Sequence, residues 1–161
     1  MAKEIELTSG EIALVDDSDF ENLIKFSWRA AGTGKTKYAI RQYGTGRKRK
    51  TIRMHRQLLN ITETYRFVDH INGNGLDNRR ENLRICFHKE NMRNMSLSVK
   101  NTTGYKGVHF YKRVGVFQAY IYVNYKKKHL GTFLTAKDAA ITYNKAAKNL
   151  HGKFARLNDE I

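Results

Sequence analysis

Cysteine and proline are almost missing from this chain of 161 residues. It holds one cysteine, Cys86, and no proline. A single cysteine excludes an intramolecular disulfide and every zinc site built on cysteine pairs. Long apolar runs are also missing, since no stretch approaches the roughly 18 consecutive apolar residues of a membrane-spanning helix. The start MAKEIELTSGEIALVDD has acids where a signal peptide has a basic region, so we expect a soluble, cytoplasmic protein with no membrane partner.

Acidic residues are scarce relative to basic ones. The chain has 30 Lys and Arg against 15 Asp and Glu, a formal charge of +15. Residues 1–23 hold seven of those acids, which leaves residues 24–161 with a charge of +21. Such a balance is typical of proteins that meet nucleic acid or an anionic membrane surface. With 40% hydrophobic and 11% aromatic residues, the chain can still build a packed core.

Hydrophobic periodicity predicts an α+β fold with a β-rich N-terminal region. Residues 41–56, RQYGTGRKRKTIRMHR, contain seven Lys or Arg and no acid, and they predict a basic hairpin. A strand–loop–strand–helix unit and a linker follow, and then a three-stranded antiparallel sheet packed on one helix that Thr135 and Asp138 begin and Gly152 ends. The ranges are 67–71, 72–80, 83–87 and 88–95 for the unit, 96–104 for the linker, and 107–111, 117–125, 128–133 and 135–151 for the sheet and helix. The predicted domains are therefore 1–95 and 105–161.

Two ligand-binding motifs are incomplete in this sequence. AGTGKT contains Gly34-Lys35-Thr36, but a phosphate-binding P-loop needs a glycine at position 29, which is arginine. HINGNGLDNRRE resembles a calcium-binding EF-hand loop, but it begins with His70 where the loop needs a carboxylate. We therefore expect neither a P-loop nor a calcium loop.

The strongest motif lies in VDHINGNGLDNRRENLRICFHKENMRN. It contains Asp69-His70, then Asn82 twelve residues after His70, then Asn91 nine residues later. Taken alone, the NG and DN pairs favour a structural turn, and a single histidine is usually satisfied by its neighbours. The four residues at this spacing, within a strand–loop–strand–helix unit, resemble the active-site core of HNH endonucleases, the ββα-metal nucleases of phages and of homing elements. The resemblance is close over residues 66–95.

The resemblance implies a role for each of the four residues. His70 would be the general base, Asn82 would orient its ring, and Asp69 and Asn91 would bind a divalent cation, Mg²⁺ or Mn²⁺. Their chemistry suits these roles, because carboxylate and amide oxygens are hard ligands and imidazole titrates near neutrality. Neighbouring residues of a regular strand point to opposite faces, so we expect the strand to twist or fray near the loop. Three arginines are expected to clamp phosphates, or else to form an exposed basic loop: Arg79, Arg80 and Arg84.

The C-terminal part resembles a second family. From Gly104 onward, GYKGVHFYKRVGVFQAYIYVNYKKKHLGTFLTAKDAAITYNKAAKNLHGKFARLN is similar to the DNA-binding domain of plant ethylene-response factors, the apetala-type fold, over about residues 103–159. The resemblance implies that the sheet lies in the major groove of DNA, backed by the helix. Several base-reading arginines of that family are replaced here, so its target sequence cannot be transferred. The expected DNA contacts are Lys106, His109, Tyr111, Lys112, Arg113, Gln118, Tyr120, Tyr122, Lys126, Lys127 and Lys128.

The sequence therefore predicts a metal-dependent DNA endonuclease of the phage or homing type. One active site reaches one strand, so we expect nicking of double-stranded DNA by a monomer, in the host cytoplasm if a phage encodes it. The alternative is a DNA-binding regulator whose HNH core is catalytically silent, and a third interpretation is an RNA-binding protein. Metal-dependent cleavage of DNA distinguishes the first interpretation from the other two.

Overall fold

A computed structural model of the protein describes residues 1–32, 36–98, 100–159 and 161. The chain divides into two compact units, Met1–His88 and Lys89–Ile161, which are treated separately below. The division between the units falls at residues 88 and 89, at the start of the helix His88–Asn94. The sequence instead predicts a linker at 96–104, and the domain limits 1–95 and 105–161 remain a prediction. Gly34 and Lys35 of the incomplete P-loop motif and Val99 of the predicted linker lie outside the described residues.

The first unit consists of small antiparallel sheets with short helices between them. Strands β1 and β2 form a hairpin, β3, β4 and β5 form a three-stranded sheet in that order, and β6 pairs with β7. Its elements are β1 (Ala2–Glu6), β2 (Ile12–Asp16), α1 (Asp17–Leu23), β3 (Arg29–Ala31), β4 (Tyr38–Tyr43), β5 (Lys50–Arg53), α2 (Met54–Leu58), β6 (Phe67–His70) and β7 (Leu83–Cys86). The basic hairpin predicted at 41–56 is confirmed as the β4–β5 pair.

A buried apolar core joins these elements. Trp28 is fully buried, and its indole N–H donates to the carbonyl of Leu23 at 2.9 Å, which satisfies the polar atom of the ring. Strand β2 contributes alternate residues, Ala13 and Val15, and helix α2 contributes Met54 and Leu58. Leu83 of β7 belongs to the same core. The β6–β7 hairpin is therefore anchored in the main core of the unit.

The second unit contains the sheet and helix predicted from the sequence. Strands β8 (Val108–Tyr111), β9 (Val116–Val123) and β10 (Lys126–Phe133) form an antiparallel sheet in the order β10-β9-β8. Helix α4 (Ala136–His151) covers one face, and a shorter helix, α3 (His88–Asn94), begins at the boundary of the unit. The α+β class and the three-stranded sheet on one helix are confirmed.

Local sequence signals explain the limits of α4. The backbone N–H of Asp138 donates to the hydroxyl of Thr135 at 3.1 Å, which confirms the predicted N-cap, and Gly152 follows the last turn with a φ of +53°. Alanines on one stripe of the helix meet alternate residues of β9, as the period-two pattern predicts. At the end of the helix Leu150 is exposed and His151 is buried. The buried contacts join Val108, Ala119 and Ile121 to Ala139, Ala140, Tyr143 and Ala147.

Candidate active site

The β6–β7 hairpin carries three of the four predicted active-site residues. Its register pairs Asp69 with Arg84 and His70 with Leu83. Asp69, His70 and Asn82 are all buried. Strand β6 ends at His70, so pairing is regular up to that residue and the loop begins directly after it. Alternation therefore sends Asp69 and His70 to opposite faces of the hairpin, and the expected fraying starts only beyond His70.

Asn82 binds the loop that joins the two strands. Its side-chain Oδ1 accepts a hydrogen bond from the backbone N–H of Asn72 at 3.0 Å. Its side-chain Nδ2 donates to Asn72 Oδ1 at 3.0 Å and to the backbone carbonyl of Asp77 at 2.8 Å. These three hydrogen bonds fix the loop between β6 and β7, which also carries Asn78, a neighbour of His70. Asn78 Oδ1 lies 3.5 Å from His70 Nε2, at the outer limit of a hydrogen bond. The ring-orienting role that the resemblance implies for Asn82 is untested, and the sequence pattern did not indicate Asn78.

The loop is also attached to the first hairpin. The N–H of Leu14 donates to the carbonyl of Leu76 at 2.9 Å, and the N–H of Asn78 donates to the carbonyl of Leu14 at 2.7 Å. Asp77 is buried, and it accepts Arg79 Nε at 2.9 Å, so the arginine holds the pKa of this carboxyl below its usual range. The loop is therefore a fixed part of the unit and not an open turn.

Two rings hold the imidazole of His70. The centroid of His55 lies 4.9 Å from that of His70 in an edge-to-face arrangement, and the centroid of Tyr38 lies 5.7 Å from it. Tyr38 and His55 also contact each other at 5.5 Å. Gly75 borders this group, because a Cβ there would meet the Tyr38 ring at 2.6 Å. We call Tyr38, His55 and His70 the ring cluster.

Burial keeps both histidines of the ring cluster neutral. It lowers the pKa of His70 below the ordinary 6.5, although Asn78 and the carboxylates of Asp69 and Asp77 oppose the shift. Burial and the nearby His70 lower the pKa of His55 to about 3. Within the described residues, His55 Nδ1 is buried without a hydrogen-bond partner. The sequence pattern predicted no role for His55. Only the apolar residues Met54 and Leu58 of the same short helix, which are buried, indicate that His55 faces the core.

Asp69 forms an ion pair with Arg84 across the hairpin. Arg84 Nε donates to Asp69 Oδ2 at 2.7 Å, and Nη2 donates to the same oxygen. A carboxylate and an amide oxygen are suitable Mg²⁺ ligands, and Mg²⁺ keeps several waters, so a set of two protein ligands fits its chemistry. Among the described residues, no three of the types His, Cys, Asp and Glu group together as a metal site. The donor chemistry of Asp69 and Asn91 suits a divalent cation, and their grouping around one stays a prediction.

The three arginines expected to clamp phosphates all form internal ion pairs. Arg79 pairs with Asp77 and Glu81, each at 2.8 Å. Arg80 pairs with Asp19 at 2.7 Å, and its backbone N–H donates to Asp16 at 2.7 Å. Arg84 is the least exposed of the three, with 12% of its side chain accessible. Phosphate contact by these residues is untested, and in this structure they connect the site to acidic residues.

Asn91 lies on α3, in the second unit. Lys106 supports the end of that helix, because its ammonium donates to the carbonyls of Arg93 at 2.6 Å and Met95 at 2.7 Å. Burial lowers the pKa of Lys106 to about 8. The metal-ligand role of Asn91 is the one that the resemblance implies.

The other expected DNA contacts lie on the strands of the sheet and on its turns, and Lys128 is paired with Ile121 of the α4 side. His109, Tyr111 and Tyr122 are exposed, and the ammonium of Lys127 lies 3.6 Å from the centroid of Tyr120. Gln118 accepts a hydrogen bond from the hydroxyl of Tyr120. The exposed cations of this surface are Lys112, Arg113, Lys126, Lys127 and Lys128. DNA contact by these residues is untested.

One comparison with known proteins matches the segment that contains the β6–β7 hairpin. Residues 66–93 match the family model described as HNH endonuclease, which covers the hairpin, its loop and the start of α3. The match spans a small part of the chain and runs from the first unit into the first residues of the second. The chain is 32% identical to Protein 3.8 of Escherichia phage T7 over 91 residues, which are 56% of this chain and 74% of the phage protein. It belongs to the family of that phage protein, whose name states no activity.

No solved structure matches the chain. The comparisons give no support to the resemblance of residues 103–159 to ethylene-response factors. In the described parts of the chain, no helix is both long and apolar enough to cross a membrane.

Proposed function

We propose that this chain is a metal-dependent endonuclease that hydrolyses a phosphodiester bond of double-stranded DNA and nicks one strand. The observation that carries the proposal is the buried, neutral His70 beside Asp69, on a hairpin within the segment that matches HNH endonucleases. A general base must be unprotonated to accept a proton from water, and burial keeps His70 in that form at neutral pH. The homing type and the choice of Mg²⁺ or Mn²⁺ are part of the proposal.

The chain's own residues position the base and the metal ligands. Tyr38 and His55 of the ring cluster fix the orientation of the His70 imidazole. Asn82 fixes the loop that brings Asn78 close to Nε2 of His70. Asp69 and Asn91 would hold the divalent cation, which supplies charge stabilisation for the phosphate and the leaving oxygen. Arg84 forms an ion pair with the carboxylate of Asp69, which would be one ligand of the cation. His70 takes one proton of the attacking water as its oxygen bonds to phosphorus, the P–O bond to the leaving oxygen breaks, and that oxygen takes a proton from solvent.

Surface charge supports a nucleic-acid substrate. The chain carries a net charge of +15, and exposed lysines and arginines line the sheet and turns of the second unit. Contacts to phosphates supply most of the non-specific affinity for DNA. We assign binding of the duplex to this surface, and we place the activity in the host cytoplasm.

Replacing the proposed base tests the assignment. His70→Ala should lower single-turnover cleavage by about 100-fold or more, because a general base acts in the transition state, and it should leave DNA affinity nearly unchanged. Asn82→Ala should lower cleavage less and should lower the thermal stability, because its side chain no longer makes three hydrogen bonds to the loop. Cleavage by His70→Ala at the wild-type rate under saturating metal would refute the base assignment.

The ion pair of Asp69 with Arg84 favours one alternative, a DNA-binding regulator with a silent HNH core. A carboxylate already neutralised by arginine can serve as structure alone. The regulator would bind DNA and would not cleave it with either metal. Arg84→Gln distinguishes the two proposals. In a nuclease it should alter the metal concentration that cleavage requires, whereas in a regulator it should change only the thermal stability.

A further inference from the structure

The second unit contains a cavity of about 550 Å³ that is lined by residues of the sheet, of α3 and of α4, the last being Tyr143 and His151. Tyrosine rings from β9 and the turn after it line the cavity, and Met92 of α3 borders it. Gly107 also lines the cavity, and a Cβ at that position would meet the Tyr143 ring at 2.1 Å. The volume is sufficient for one aromatic heterocycle with its sugar.

The charges around this cavity are of one sign. Lys89, Arg93 and Lys127 line it, and none of its described lining residues carries a carboxylate. The aromatic surface is also exposed, since Tyr122 is 60% and Tyr125 is 76% accessible. Aromatic walls with a cationic rim are complementary to a ligand that is both flat and anionic.

The backbone at the rim is strained. Asn124 and Tyr125 form the two-residue connection between β9 and β10, and their φ angles are +48° and +64°. Hairpin turns with two positive φ angles favour asparagine first and glycine second. Tyrosine in the second position is unfavourable for the fold, and side chains held in such conformations cluster at binding sites.

We propose that this cavity binds one unstacked nucleotide of a DNA strand, with its base against Tyr122 and Tyr125 and its phosphate near Lys127 and Arg93. The inference rests on the proposed DNA endonuclease and extends it, because it assigns the second unit a site for single-stranded DNA beside duplex contacts. Every base has a flat face, so stacking of this kind tolerates any sequence. The site would hold a strand that is displaced or locally opened around the nick.

Substitution of the strained tyrosine tests the site. Tyr125→Gly removes the ring and places the favoured residue at the positive φ angle, so the melting temperature should stay equal or rise while the affinity for single-stranded DNA falls about tenfold. The probe is a fluorescein-labelled (dT)12, measured by anisotropy with the full chain in chelator, so that cleavage does not contribute. Tyr122→Ala should weaken binding by a similar factor. Tyr65→Ala, a 61% exposed tyrosine of the first unit, is the matched control and should bind as the wild type does.

The outcomes separate this site from the nuclease proposal. Unchanged (dT)12 affinity in both Tyr125→Gly and Tyr122→Ala would overturn the site, whether or not the protein nicks plasmid. Tighter binding of (U)12 RNA than of (dT)12 would also overturn it. Weaker (dT)12 binding together with retained or raised stability supports it, even if the nuclease assignment fails.

Discussion

His55 is the residue that explains how the proposed base is held. It is buried on α2, and its ring meets the ring of His70 edge to face. Its low pKa means that it stays neutral and adds no charge to the site. We therefore interpret His55 as a positioning residue that acts through His70 and not on the substrate.

Removing the His55 ring tests that interpretation. His55→Ala should lower the cleavage rate constant about tenfold with little change in DNA affinity, because a base that is misplaced by a fraction of an ångström loses much of its effect. His55→Phe keeps a ring in the same place and should retain most of the rate. Single-turnover cleavage and equilibrium DNA binding provide both values.

A double-mutant cycle shows whether His55 acts through His70. In the His70→Ala background, His55→Ala should cause no further decrease of the residual rate. An equal tenfold decrease in that background would contradict the positioning role. Circular dichroism of each variant checks that the fold is retained.

The neutral state of His55 also predicts how stability depends on pH. Its folded pKa of about 3 lies below the unfolded 6.5, so between these values the unfolded chain binds more protons and acid favours unfolding. The free energy of unfolding should therefore fall as the pH drops below 6.5, with a slope of up to about 1.4 kcal/mol per pH unit from this group.

Urea denaturation at several pH values measures that slope. His55→Gln should reduce it between pH 6 and pH 4. Since burial also lowers the pKa values of His70 and His151, part of the slope should persist in His55→Gln. An unchanged slope in His55→Gln would show that His55 binds protons equally in the folded and unfolded chain, which would contradict the lowered pKa.

At the scale of elements, strand β10 is where the proposed duplex contacts are most concentrated. Lys126, Lys127 and Lys128 begin the strand and are all exposed. Three successive cations on an edge strand repel one another, and an anionic partner removes that repulsion. The strand is therefore well suited to a phosphate backbone.

Neutralising these lysines should change the salt dependence of DNA binding. The triple variant Lys126→Ala, Lys127→Ala and Lys128→Ala should bind duplex DNA more weakly, and the slope of log K against log salt should fall by about 0.9 for each phosphate that the variant no longer neutralises. The matched control replaces three exposed lysines on the outer face of α4: Lys137, Lys145 and Lys148. If both triple variants lower the slope equally, charge alone determines binding and β10 has no special role.

Elements that depend on local signals could be predicted from the sequence. The β6 and β7 strands, the Thr135 cap and the alternation along β9 all follow from residues close together in the chain. Contacts between distant residues could not be predicted. The Arg80–Asp19 ion pair spans 61 residues, and Tyr38, His55 and His70 come from three separate elements, so no local pattern brings them together. Asn78 lies only eight residues from His70, and it was missed because the NG and DN pairs indicate a turn without its side-chain contacts.

At the scale of the whole molecule, the two units explain the uneven distribution of charge. Three acids of the N-terminal segment form ion pairs within the first unit: Asp17 with Lys3, Glu11 with Lys37 and Asp19 with Arg80. These pairs stabilise the unit that carries the HNH motif. In the second unit Lys112, Arg113 and Lys126 to Lys128 remain exposed, so their positive charge is accessible to a polyanion.

Nicking of supercoiled plasmid by the purified 161-residue chain tests the central claim most directly. The account predicts that nicked circles accumulate with Mg²⁺ or Mn²⁺, that chelator stops the reaction, and that returning the metal restores it. Asp69→Ala should be inactive with either metal while still binding the plasmid. Nicking that continues undiminished in chelator, or a folded protein that binds plasmid and cuts it with neither metal, would contradict the account.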